Sequence, residues 1–127
     1  CNLNYYEFLD FHMQTSAEIT VSSFRRDVKI DFGVLEVDEN GKLEQFNEKP
    51  TNSYNVSMGI YCINRSRLNQ IPKGTKYGFD DLMLDSIANR TQVSVKQFDG
   101  FWLDIGRPED YEYADQNYKE VSKKLGV

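Results

Sequence analysis

The stretch Gly100-Phe101-Trp102-Leu103-Asp104-Ile105-Gly106-Arg107-Pro108-Glu109-Asp110-Tyr111 decides how this chain reads. The apolar run Phe101 to Leu103 gives way to a carboxylate and a glycine, so the chain is expected to leave the core at Asp104. Pro108 fits the first position of a helix, where no amide hydrogen is needed. Glu109 and Asp110 follow where the positive end of the helix dipole favours acids. Downstream, Tyr111, Ala114, Tyr118, Val121 and Leu125 make an apolar stripe at helical spacing. Lys123 and Lys124 occupy its last turn, and Gly126 is placed to end it. One helix is therefore expected from Pro108 onward. Upstream, residues 92–98 read as a strand.

Further out the same alternation of elements continues. Asn4 is a good N-cap, with Glu7 three residues on, and Tyr5, Phe8, Leu9 and Met13 predict one apolar helix face. His12 lies beside that face and reads as structural. Residues 17–24 are rich in β-branched types and predict a strand, with Arg25, Arg26 and Asp27 as a polar connection. A hairpin follows, residues 33–37 and 42–46 flanking Asp38-Glu39-Asn40-Gly41, where Asn-Gly suits a tight turn. Residues 56–63 are apolar enough to predict a strand covered on both faces. Short helices are expected near residues 66–71 and 80–88. Interleaved strands and helices give an α/β class: a mixed sheet with flanking helices, in a single domain spanning residues 1–127.

Composition bounds the function. With 39 % hydrophobic, 28 % charged and 13 % aromatic residues, the chain has the make-up of a globular protein with a core. A net charge of −5 argues against general binding to nucleic acid or to anionic membranes. No run approaches the roughly 18 apolar residues of a membrane span. Cys1 and Cys62 form neither a metal-ligand spacing nor a disulfide framework, which fits a reduced, cytoplasmic setting. A chain starting with Cys could also be a lipoprotein, but a helix pattern begins within three residues, where such proteins carry a polar tether. Truncation is the better expectation.

Four segments set polar or glycine residues at strand ends: Phe32-Gly33-Val34, Glu48-Lys49-Pro50, Ser57-Met58-Gly59-Ile60-Tyr61 and the stretch around Asp104. Each has a plain reading when taken alone. Gly33 and Gly59 relieve crowding in a sheet, Glu48 and Lys49 make a solvated pair, and Asp104 caps a turn.

Taken together and in this order, the segments resemble the second half of the sugar-1-phosphate nucleotidyltransferases. That family shows an aromatic-Gly-Val strand, an Asn-Gly hairpin, Glu-Lys-Pro, a small-Gly-Ile-Tyr strand and the Trp-Leu-Asp-Ile-Gly-x-Pro-x-Asp-Tyr run. The resemblance covers nearly the whole chain. It implies the C-terminal, sugar-binding part of a Rossmann-like nucleotidyltransferase fold. It also implies an enzyme that joins a nucleoside triphosphate to a sugar 1-phosphate, giving a nucleotide sugar and pyrophosphate.

Carried over by residue, Asp104 matches a metal-holding aspartate and Lys49 the lysine that meets the sugar phosphate, these two being the catalytic pair. Glu48 matches the carboxylate that receives sugar hydroxyls. Gly33 matches a glycine lying against the sugar, and Ser57 stands where many members have an Asn that contacts it. The expected cofactor is Mg²⁺, a hard ion that takes one or two carboxylates plus phosphate oxygens. The family's Gly-rich nucleotide loop has no counterpart in these residues, and its other metal-binding Asp is expected just before Cys1. The chain alone is therefore expected to be inactive. Two rival readings stand beside this one: a non-catalytic sugar-phosphate-binding or regulatory module, and a hydrolase using Glu48 and Asp104 as an acid/base pair.

Overall fold

The computed structural model describes residues 1–127. The elements run α1 (Tyr5–Gln14), β1 (Ile19–Lys29), β2 (Gly33–Val37), β3 (Leu43–Glu48), β4 (Thr51–Ile63), α2 (Arg65–Leu68), α3 (Phe79–Ala88), β5 (Val93–Phe98), α4 (Pro108–Gln116) and α5 (Tyr118–Leu125). A three-stranded sheet has the order β4-β1-β5, and β2 and β3 make a separate pair. β1 and β5 are parallel, with Ile19 opposite Val93 and Phe24 opposite Phe98. β2 and β3 are antiparallel. The α/β class is as expected.

The chain forms two compact units: residues 1–24 with 57–127, and residues 25–56. In the first, Ile19, Val21 and Leu82 make the buried core, with Tyr61, Ile63, Tyr77, Phe79, Met83 and Val93 packed against it. β1 lies at the centre of the sheet, and residues 19–23 are all buried.

Asn4 caps α1 as its sequence predicts, its side-chain oxygen accepting from the amides of Tyr6 and Glu7. The buried face, however, is Phe8 with His12, one turn apart, while Tyr5, Leu9 and Met13 are exposed. His12 belongs on that face because both ring nitrogens are hydrogen-bonded, Nδ1 with Thr20 Oγ1 at 2.7 Å and Nε2 with Asn64 Oδ1 at 3.1 Å. A buried imidazole with both partners supplied costs little, and its role is structural.

Three other expectations change. Arg25, Arg26 and Asp27 are not a connection but continue β1, where alternate residues are exposed and a Ser53 hydroxyl bonds Asp27. β4 is not covered on both faces. It is an edge strand, and Met58 is its buried residue. The C-terminal helix is two helices. Asn117 leaves helical geometry at φ −113°, ψ 29°, and its side chain donates to the Tyr113 carbonyl at 2.9 Å. The inward positions are Asp110, Ala114, Val121 and Leu125, with Tyr111 and Tyr118 exposed. Gly126 does close α5 in the left-handed conformation at φ 77°. No helix is long and apolar enough to cross a membrane.

Candidate active site

The second unit carries Gly33, Glu48 and Lys49. The hairpin turn is set by Asp38, whose carboxylate accepts from the amides of Asn40 at 2.9 Å and Lys42 at 2.8 Å. Gly41 supplies the positive φ of 81° there, while Asn40 does not take one. This fixes the register and brings Gly33 opposite Glu48 at the other end of the hairpin. A Cβ on Gly33 would stand 2.7 Å from the Phe46 ring and 3.2 Å from Glu48 Oε2, so the position needs glycine for close approach. Lys49 follows with φ 44° and its amide donates to the Phe32 carbonyl at 3.3 Å. Lys49 and Pro50 form the whole connection between β3 and β4, and Lys49 takes the left-handed conformation that this tight link uses. Gly33, Glu48 and Lys49 are thus gathered at one hairpin end, with both charged residues exposed.

The first unit carries Ser57 and Asp104. A cavity of about 370 Å³ is lined by residues 57–59, Tyr61 and residues 102–105, which include both. Met58 anchors this part of β4, its sulfur accepting from the Ser22 hydroxyl at 3.1 Å. Gly59 then turns the strand at φ 75°. In a flat strand Cα atoms four residues apart are about 13 Å distant, yet here the Ser57 and Tyr61 hydroxyls meet at 3.1 Å. The Gly59 amide also donates to Ser57 Oγ at 3.2 Å. Gly59 does not relieve crowding, since a Cβ there would meet no atom within 4 Å; its positive φ calls for glycine and shapes the wall that presents Ser57. Tyr61 stacks on Phe79 with centroids 3.6 Å apart, and Trp102 packs on Phe24 at 5.4 Å. These rings hold two sides of the cavity in place. Neither Tyr61 nor Trp102 was given a role by sequence reasoning, although both lie inside the motifs.

Asp104 sits in a closed turn. Its Oδ1 accepts from the Gly106 amide at 3.1 Å, and its carbonyl accepts from the Arg107 amide at 2.9 Å. The turn-capping reading is therefore realised, and it holds the carboxylate at the cavity wall. Nearby, the Asn2 side chain accepts from the Phe101 amide at 2.8 Å, and the Asn2 amide donates to the Phe101 carbonyl at 3.1 Å. The start of the chain thus runs beside the approach to Asp104.

No three His, Cys, Asp or Glu side chains gather as a metal cluster. Asp104 presents a single carboxylate at the cavity wall, the kind of oxygen donor that a hard cation takes one or two of together with phosphate oxygens. Burial pushes the Cys62 thiol above its usual range, which disfavours a nucleophilic thiolate.

Residues 1–121 match the family described as Nucleotidyl transferase. The chain is 26 % identical over 138 residues to a glucose-1-phosphate adenylyltransferase of Clostridium acetobutylicum, covering 98 % of this chain and 36 % of that protein. It is 29 % identical over 114 residues to the mannose-1-phosphate guanylyltransferase catalytic subunit beta of Drosophila melanogaster, covering 87 % of this chain and 30 % of the relative. The chain thus spans about a third of the length of these relatives. Its fold is similar to HddC from Yersinia pseudotuberculosis, with a TM-score of 0.60 and 21 % identity over 93 % of this chain and 51 % of HddC. HddC has also been solved complexed with GMP-PN, with the same TM-score and coverage.

Proposed function

Because this chain belongs to the nucleotidyl transferase family, we propose that it carries the sugar-phosphate side of an enzyme that makes nucleotide sugars. In this reading a sugar 1-phosphate oxygen attacks the α-phosphorus of a nucleoside triphosphate in line, and pyrophosphate leaves. The single observation that supports it most is that Ser57 and Asp104, drawn from two separate motifs, line one cavity.

The residue types suit the reaction. A sugar phosphate is already an anionic nucleophile, so no strong base is required, and repulsion between phosphates is the obstacle. Mg²⁺, when bound, supplies charge neutralisation at the phosphates. Asp104 would hold it through a carboxylate already oriented by its turn. Lys49, exposed at the hairpin end, adds a positive charge to the sugar phosphate. Within the hairpin unit, Glu48 is assigned to sugar hydroxyls and Gly33 to a close backbone surface; in the other unit, Ser57 offers a hydroxyl at the cavity that Asp104 lines. The reactants are soluble metabolites, so a cytoplasmic setting is proposed with the activity. Pyrophosphate release by the intact protein, measured over a matrix of nucleoside triphosphates and sugar 1-phosphates, tests the reading. Hydrolysis of a glycoside with no nucleotide requirement would replace it.

Two outcomes follow from these roles. In the intact protein Lys49→Ala is expected to weaken use of the sugar phosphate about ten- to a hundredfold, the worth of a charge-assisted hydrogen bond, with nucleotide binding little changed. Glu48→Gln acts in the same direction through the sugar hydroxyls. Steady-state kinetics with each substrate varied checks both, and wild-type kinetics toward the sugar phosphate would remove the two assignments. The 127-residue chain by itself is expected to make no nucleotide sugar, because it holds no Gly-rich loop to keep a triphosphate in line. Synthesis by the purified chain, shown free of contaminating enzyme, overturns that expectation and with it the division of labour proposed for the site.

A further inference from the structure

Asp110 is a buried carboxylate, 7 % exposed, on the third residue of α4. An acid at this helix position ordinarily reaches back to the amide of the capping residue, here Arg107. That amide is already taken by the Asp104 carbonyl at 2.9 Å. Asp110 instead reaches three residues further back, and its Oδ2 accepts from the Asp104 amide at 2.8 Å. Asp104 is thereby held at three points: its amide by Asp110, its carbonyl by Arg107 and its Oδ1 by Gly106.

A buried carboxylate is costly unless it is well partnered. At this position the cost is offset by the amide bond and by the positive end of α4. A helix cap alone would not require this arrangement, since Pro108 has no amide to satisfy and the Arg107 amide already has a partner. What the arrangement does accomplish is to tie the orientation of the Asp104 backbone to the rigid first turn of α4.

From this we infer that Asp110 is a positioning residue, which acts on the reaction through Asp104 by fixing that residue's backbone at the cavity. The inference rests on the reading of Asp104 as a metal ligand. Groups that orient a metal ligand typically change metal affinity or activity by about 10- to 100-fold when removed.

The test uses Asp110→Ala, Asp110→Asn, Asp104→Asn and the Asp110→Ala/Asp104→Asn double variant of the intact protein. Hydrogen exchange at the Asp104 amide is expected to quicken about ten- to a hundredfold in Asp110→Ala, as a charge-assisted bond is lost. In Asp110→Asn, which keeps an acceptor, it stays close to wild type. The Mg²⁺ concentration for half-maximal rate should rise in Asp110→Ala and recover most of the way in Asp110→Asn. In the Asp104→Asn background, adding Asp110→Ala should cost no further activity. Unchanged exchange at the Asp104 amide overturns the inference, and so does an equal loss of activity in both backgrounds, which would make Asp110 a general stabiliser. If Asp104→Asn alone keeps normal turnover, the ligand reading of Asp104 fails instead, whatever the exchange data show of the Asp110 bond. Should Asp110→Ala not fold, Asp110→Asn decides by itself: a loss of activity in it without quickened exchange overturns the inference.

Discussion

Asp104→Asn in the intact protein is expected to lower turnover by several orders of magnitude while leaving the melting temperature close to wild type. The two halves of this expectation come from different atoms of one side chain. Oδ1 accepts from the Gly106 amide and closes the turn, and an Asn oxygen caps about as well as an Asp oxygen. The negative charge is what a divalent cation needs, and neutralising phosphate repulsion is the main lever this reaction offers. An amide in its place keeps the shape of the turn and loses the ion. The check is to record melting and pyrophosphate release for both proteins over a Mg²⁺ titration. A variant that melts much earlier yet turns over normally would show that Asp104 serves the turn only.

The second large effect concerns stability. Phe8→Ala should cost about 3–5 kcal/mol, the usual range for truncating a buried aromatic side chain. Phe8 is 2 % exposed and is the large apolar residue that α1 buries. α1 is also tied to β5, where Lys96 donates to the Glu7 carbonyl at 3.0 Å and lies 5.1 Å from the Phe11 ring centroid. Against a total stability of roughly 5–15 kcal/mol, such a loss is large. It corresponds to a drop in melting temperature on the order of 10–20 °C. Urea unfolding of wild type and variant measures it, and a cost below about 1 kcal/mol would show that α1 does not dock through Phe8.

Local chemistry made much of the fold legible. The Asn4 cap, the Asp38–Gly41 turn and the Gly126 stop each depend on residues within a few positions, so spacing alone locates them. Legibility fails where tertiary surroundings override the pattern. Arg25 to Asp27 read as a connection because β1 leaves the core there, and an exposed strand has no apolar alternation to show. Leu9 and Met13 fit a helical stripe as well as His12 does, yet partners from Thr20 and Asn64 decide which face turns inward. Asn117 interrupts a stripe whose period continues across it, so periodicity passes over the break. Ser57 and Asp104, drawn from separate motifs, line one cavity, a proximity that their spacing in the sequence does not reveal. The Asp110 contact was not legible. Its six-residue reach to Asp104 follows neither helical nor strand period and exists only because the turn between them closes. Tyr61 and Trp102 were visible as aromatic residues, but their packing on Phe79 and Phe24 joins segments far apart in the chain.

The pairing pattern also bears on the order in which the molecule assembles. β2 and β3 meet across a short turn that Asp38 and Gly41 already favour. Bringing such neighbours together costs little loop entropy, and hairpins of this kind close within roughly 1–10 μs. β1 and β5 are the opposite case. Ile19 finds Val93 only after more than half the chain has been looped out, and the parallel ladder then extends to Phe24 and Phe98. Such non-local pairing is slow because its entropic cost falls due before its contacts form. The hairpin with Gly33 and Glu48 is therefore in place early, while the sheet that orders the cavity around Asp104 waits for β5. During that interval β1, whose first five residues are all buried in the finished fold, has an open edge. A kinetic hazard of aggregation is thus concentrated in residues 19–23, the very segment whose final burial is the most complete.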